Sequence, residues 1–324
     1  MLAKTLLAIV AVAALSAAYF NSGSTITRDD TEELFSKFIL ENRRSYFSKD
    51  EYKLRYNIFK STLLEIEQMN ANPNDEATYG ITYMADWTKS EKDQLLGLRN
   101  MPLEKPVGVV EDSIVGEEPA ERFDWRTSGK VRGVKDQGSC GSCWAFAANA
   151  VHEAAWAIFK DTTVPNLAES ELVDCANGQY QNLGCSGGWY HWAWDYVKAK
   201  GGLNTEAEYP YVPANRACAA KYASRTAKIV SYSTIKATIE DFKLRVMRQP
   251  VAIAVDATNW SSYTGGVFSN CGLNVNHAVT IVGYEQDYWI VKNSWGTRWG
   301  SDGYINLKIG NTCGTLGYGY YVTV

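Results

Sequence analysis

Cysteine is confined to one part of this chain. All seven lie at or beyond Cys140, and the stretch from 19 to 98 has none. Six of them can close three bridges in fifteen ways, and the spacings alone do not choose among these. The seventh is left over as a thiol. Tryptophan follows the same division, with ten of eleven beyond residue 118. The chain must therefore build two unlike bodies, a bridged, aromatic-rich one and a smaller one held by packing alone. With 324 residues, 46% of them hydrophobic and 21% charged, it can bury a sizeable core and is too apolar for disorder. A net charge of −4 argues against a nucleic-acid binder, which carries a basic face. No apolar run reaches the roughly 20 residues that span a bilayer, so no membrane partner is expected.

Bridges of this kind form in oxidising compartments. The N-terminus points the same way. Lys4 precedes an unbroken apolar run from Leu6 to Leu15, followed by the small residues Ser16, Ala17 and Ala18. That is the pattern of a signal peptide, expected over 1–18 with cleavage near Ala18. The chain is thus expected in the secretory pathway, bound for a lysosome or digestive vacuole or for the cell exterior. Asn259-Trp260-Ser261 is a glycosylation sequon.

Residues 19–118 read as helices and a linker. Asp30, with Glu33 three residues on, marks a helix start, and Leu34, Phe35 and Phe38 give that helix an apolar edge. A longer helix is expected from Lys49 to Asn70. It places Phe59, Leu63, Ile66 and Met69 on one face, with Glu51 and Arg55 as an i,i+4 pair. Three prolines, two glycines and scattered acids make Asn100 to Ala120 a linker.

The densest chemical signal is Gln137-Gly-Ser-Cys140-Gly-Ser-Cys143-Trp144. A helical pattern begins at Cys143 and carries Trp144, Ala147, Val151, Ala154 and Ile158. A thiol at a helix N-terminus feels the positive end of the macrodipole, which favours thiolate. His277 and Asn293 follow 134 and 150 residues after Cys143. A redox pair or half a zinc site would be the other readings of Cys140-x-x-Cys143. The first needs a βαβ setting and the second another Cys-x-x-Cys or paired histidines; neither is present, so no metal and no cofactor is expected.

These separations, together with Asp124-Trp125-Arg126, Gly184-Cys185-Ser186-Gly187-Gly188, Asn276-His277-Ala278-Val279 and Asn293-Ser294-Trp295-Gly296, resemble the papain family of cysteine proteases, and its cathepsin L-like branch most. The resemblance spans essentially the whole chain. It implies an α+β, papain-like two-lobed fold over 119–324: a helical lobe led by the Cys143 helix, a β-barrel-like lobe carrying His277 and Asn293, and a cleft between them. It makes Cys143 the nucleophile, His277 the base, Asn293 the orienter and Trp295 a shield over their contact. Gln137 and the Cys143 N–H would hold the oxyanion. In a papain-type pair the thiolate pKa falls to roughly 3–4. The implied bridges are Cys140–Cys185, Cys175–Cys218 and Cys271–Cys313. Gly187, Gly188, Trp189, Tyr190, Ala254, Val275, Ala278, Trp295 and Tyr318 would line the substrate site. The pocket for the second residue before the scissile bond is apolar, so bulky apolar side chains are expected there.

The same resemblance makes 19–118 an inhibitory propeptide. Glu51, Arg55, Ile58, Phe59, Ile66 and Asn70 fit its helix motif, with Thr62 where asparagine is usual. Gly80 and Asp86 keep part of a second motif, with Thr82 and Met84 as replacements. The unit would pack on its own enzyme, run its tail backwards through the cleft, and be cut off between Glu117 and Ala120. Protonation of paired carboxylates between about pH 5 and 4 would loosen it. The expected protein is a monomeric zymogen of a thiol-dependent endopeptidase acting on polypeptides. Of the other histidines, His152 reads as a surface or packing residue, and His191, among Trp189, Trp192 and Trp194, as a residue near the cleft.

Overall fold

The computed structural model describes residues 28–98, 109–110 and 116–324. The signal peptide expected over 1–18 and most of the linker expected over 100–120 lie outside these residues. Helix α1 (Arg28–Glu41) already includes Asp30, which therefore sits in its first turn and is not its cap. Helix α2 (Lys49–Asn70) starts where the sequence puts it, because Ser48 Oγ accepts the Glu51 amide and the Glu51 carboxylate accepts the Phe47 amide. Its buried face is Phe59, Thr62, Leu63 and Ile66. Phe59 meets Phe35 and Phe38 of α1 at ring separations of 5.2 and 5.1 Å. Arg55 keeps the expected i,i+4 ion pair with Glu51, at 3.9 Å, and adds a stronger partner: Glu91 in the short helix α3 (Lys89–Asp93) accepts two bonds of 2.6 and 2.7 Å. A bidentate fork is stronger than a single i,i+4 contact.

Strand β1 (Glu76–Tyr79) fastens this unit to the larger body, antiparallel to β6 (Tyr263–Phe268). The Gly80 amide donates to the Ser262 carbonyl and the Thr82 hydroxyl to that of Ser261. Met84 is buried in the same cluster as Trp260 and Trp295. Both departures from the expected motif thus sit in the contact itself.

Among the described residues one ten-stranded sheet runs β1, β6, β9 (Tyr304–Lys308), β8 (Tyr288–Lys292), β7 (His277–Tyr284), β5 (Val251–Val255), β10 (Tyr320–Thr323), β4 (Ser231–Thr234) and β2 (Val109–Val110), with β3 (Phe123–Asp124) beside β7. Every residue of β7 is buried, as an apolar run covered on both faces requires. Its pairing puts Thr280 opposite Lys292. Asn293, next after β8, is thereby returned to His277 at the start of β7. The helical side holds α4 (Cys143–Phe159), α5 (Glu169–Cys175) and α6 (Tyr190–Lys200). Helix α4 is buried along nearly its whole length, between the sheet and α6. Bridges join Cys140 to Cys185, Cys175 to Cys218 and Cys271 to Cys313 across 45, 43 and 42 residues. Loops of that length are each worth about 4 kcal/mol in a chain-entropy picture. No helix among the described residues is long and apolar enough to cross a membrane.

Candidate active site

Cys143 is the first residue of α4, fully buried, and the free cysteine among the described residues. His277 Nε2 lies 2.8 Å from Asn293 Oδ1. The Ser294 amide donates to that same oxygen at 2.8 Å, which fixes which end of the Asn293 amide is the carbonyl. Nε2 must then carry the imidazole proton, and Nδ1 is left bare. The Trp295 ring lies 4.9 Å from the imidazole, and Trp260 meets it edge-on at 5.9 Å. Gln137 is fully buried; its amide nitrogen donates to the carbonyls of Leu95 and Cys140 at 2.9 and 2.8 Å. Its side-chain oxygen accepts from Ser294 Oγ at 2.7 Å. The Ala278 amide, next to His277, donates to Cys143 Sγ at 3.4 Å, so the four expected site residues are brought to one place by the helix start, two strand ends and one loop.

Residues 94–98 of the N-terminal unit cover that place. The Gly188 amide donates to the Gly97 carbonyl at 3.1 Å, and the Leu98 amide donates to the Asn276 carbonyl at 3.0 Å. A Cβ on Gly188 would lie 2.1 Å from Asn182 Oδ1 and 2.9 Å from Trp144 Cδ2, so the packing beneath this contact requires glycine. Gly187 holds the preceding turn, its carbonyl accepting from Leu183. Leu98 is buried in one cluster with Trp189, Tyr190, Ala254, Val275 and Ala278, and Tyr318 packs against it, partly buried. Tyr318 lies 5.3 Å from the Trp189 ring, and its carbonyl accepts from the Tyr190 hydroxyl.

Coverage changes the electrostatics. Burial pushes the Cys143 thiol up to about 11, against backbone N–H groups at Ala278 and Gly97. Burial also pushes His277 down to about 4, with Asn293 and Leu95 pulling the other way. In the covered site burial thus works against the thiolate–imidazolium pair expected from sequence. The helix N-terminus does not offset complete removal from water. The remaining histidines stand apart from it. His152 is buried with Nε2 2.6 Å from the Ala227 carbonyl, and His191 is stacked on Tyr320 inside an aromatic cluster.

Residues 119–323 match the model of the papain family cysteine proteases, and 35–91 match the cathepsin propeptide inhibitor domain (I29). The chain belongs to the papain family. Fruit bromelain of Ananas comosus is 38% identical over 309 residues, covering 90% of this chain and 86% of that protein. A viral cathepsin of Spodoptera exigua nuclear polyhedrosis virus is 38% identical over 299 residues, 87% and 86% of the two chains. Digestive procathepsin L2 proteinase from the Tenebrio molitor larval midgut superposes with a TM-score of 0.84 at 32% identity, over 91% of this chain and 100% of that one. This papain-family chain is a cysteine protease with its propeptide, an α+β hydrolase in zymogen form, as the sequence led us to expect.

Three residues around the site carried no role in the sequence reading. Ser294 was visible only as part of a motif. Trp260 and Tyr211 reach the site from 17 residues before His277 and 68 after Cys143, and no local pattern announces such contacts.

Ion pairs of the propeptide unit set how acid acts on it. Hydrogen bonds from Arg55 pull the Glu91 carboxyl from 4.5 down to about 2. Its contribution is fully present above about pH 4.5 and is lost as pH falls from there toward 2. Buried Asp86, which accepts from Arg44 and Tyr46, is shifted the other way by desolvation and does not add to acid release. For this pair the response overlaps the pH 5 to 4 expected from sequence only between about 4.5 and 4 and continues below it. Glu91→Gln is expected to raise the pH at which the zymogen converts, read by following its conversion on gels across pH 3 to 7. An unchanged profile would remove Arg55–Glu91 from the acid response.

Proposed function

We propose that residues 119–324 form a thiol-dependent endopeptidase, held inactive by residues 19–118 after removal of a signal peptide over 1–18. The observation that carries this is the His277–Asn293 contact of 2.8 Å beside a free cysteine at a helix N-terminus. Once the strap leaves, water returns, the helix N-terminus favours the thiolate, and Cys143 can pass its proton to Nδ1 of His277. The thiolate adds to the scissile carbonyl carbon. The carbonyl oxygen takes up the negative charge, held by Gln137 and the Cys143 N–H. His277 then gives its proton to the leaving amine, and water hydrolyses the acyl-enzyme by the same steps. The Leu95 carbonyl already accepts from Gln137 where that oxyanion would lie.

The strap also supports a reversed course. Leu95 and Leu96 sit toward Trp295, and Leu98, later in the chain, sits among Trp189, Ala254 and Val275. A substrate with its scissile carbonyl at Gln137 would put an earlier residue in that pocket. The enzyme would act as a monomer on polypeptides in a lysosome, a digestive vacuole or outside the cell, after cleavage between Glu117 and Ala120. Active-site labelling by an epoxide and peptide-library cleavage by the acid-processed protein, with and without thiol reductant, test the reading. Cleavage that ignores the reductant, with no labelling of Cys143, would overturn it.

The pocket around Leu98 gives a sharper expectation. Its lining is apolar or aromatic, and partly buried Tyr318 packs against it, so a shallow pocket is expected. An arginine there would be desolvated without a partner, costing several kcal/mol, whereas apolar side chains gain about 25 cal/mol per Å² buried. Leu or Val should be preferred over Phe, and Phe far over Arg, two residues before the cut. Tyr318→Ala should shift preference toward Phe. Equal kcat/KM on Leu and Arg peptides would refute this pocket assignment.

A further inference from the structure

The two groups expected to hold the oxyanion come from different segments: the side chain of Gln137 from a loop, and the Cys143 N–H from the start of α4. One side chain outside both ties them together. The Tyr211 hydroxyl donates to the Gln137 carbonyl at 2.8 Å and therefore accepts from Ser142 Oγ at 2.7 Å. Ser142 is the N-cap of α4, fully buried, yet its side chain makes no capping hydrogen bond. An N-cap serine ordinarily accepts an amide of the first turn. Here its hydroxyl is committed to Tyr211, and the first-turn amides around Cys143 are left without that cap.

Tyr211 is itself fixed from three sides. Its amide donates to the Glu206 carboxylate at 2.7 Å, its ring meets Phe146 of α4 edge-on at 4.9 Å, and its hydroxyl is used twice. On the far side of Gln137, the Ser294 carbonyl accepts the Gln137 amide at 2.8 Å and Ser294 Oγ holds its side-chain oxygen. Gln137 is thus clamped from the Asn293 segment by Ser294 and from the Cys143 helix by Tyr211.

We propose that Tyr211, acting through Ser142 and the Gln137 backbone, is a positioning residue that sets the spacing of the two oxyanion donors. It touches no substrate atom. The inference rests on assigning Gln137 and the Cys143 N–H as those donors, and its test separates the two claims. Deleting a donor outright typically costs about 100- to 1,000-fold in kcat. Tyr211→Phe keeps the ring on Phe146 and only lets the donors drift, so a smaller loss, about 10-fold in kcat with KM little changed, is expected. Affinity for a peptide aldehyde, whose hemithioacetal oxygen occupies the same hole, should fall by the same factor. Alkylation of Cys143 by iodoacetamide, which forms no oxyanion, should keep its rate and pH profile. Ser142→Ala should behave alike, and the double variant should be no worse than either single one. If Tyr211→Phe fails to mature, Ser142→Ala carries the same test. Unchanged kcat and aldehyde affinity, or an equal loss in alkylation, would overturn the proposal. Full activity of Gln137→Ala would instead overturn the donor assignment beneath it.

Discussion

Cys143→Ala is expected to give a zymogen that folds, keeps its full length and hydrolyses no peptide. The side chain is buried at the first residue of α4, and exchanging a thiol for a methyl there costs only about 1 kcal/mol. The chemistry has no substitute. No other free cysteine occurs among the described residues, and the loss should be on the order of a million-fold, the scale seen when a triad nucleophile is removed. His277→Ala should be nearly as inactive, since the thiol loses its proton acceptor and the leaving amine its acid. Asn293→Ala should be milder. It frees the imidazole from its 2.8 Å contact but leaves both reacting groups in place, with Trp295 and Trp260 still packed on the ring. Turnover of a peptide substrate by each acid-treated variant checks the order. Normal turnover by Cys143→Ala would end the reading.

What the sequence made legible were features with short-range physical causes. The α2 helix was legible at about Lys49 to Asn70 because its apolar face repeats at helical spacing, and the Ser48 and Glu51 caps seen in the structure fix its start. The Cys143 helix was readable from the same spacing. The assembly of Cys143, His277, Asn293 and Gln137 could be named only through a resemblance, because β-sheet register brings together residues whose separation carries no local signal. Contacts that depend on tertiary placement escaped. Arg55 keeps its neighbour four residues away but makes its shorter bonds to Glu91, 36 residues away, and Asp30 proved to lie inside its helix. The effect of the strap on the Cys143 thiol escaped as well. A thiol at a helix N-terminus reads as a thiolate, but the strap that removes water from it comes from another part of the chain.

That strap is the second place where a large effect is expected. Gly97→Val should expose Cys143 in the intact zymogen while leaving the processed enzyme, which lacks residue 97, unaltered. A Cβ on Gly97 would lie 2.1 Å from the Gly141 carbonyl oxygen and 3.0 Å from Cys143 Sγ. Gly141 cannot give way easily: its amide donates to the Cys185 carbonyl, and the Cys140–Cys185 bridge pins both neighbours. The strap must lift instead, which strains or breaks the bonds of Gly97 to Gly188 and of Leu98 to Asn276. Overpacking costs about 1–3 kcal/mol and each lost hydrogen bond about 1 kcal/mol more. A combined shift of about 3 kcal/mol would raise the open population roughly 100-fold. Brief iodoacetamide labelling of both zymogens at neutral pH, read by intact mass, measures this directly. Cys143 in the wild-type protein should label slowly and in Gly97→Val about 100-fold faster, with equal kcat/KM after processing. Equal labelling rates would mean that residues 94–98 do not close the cleft.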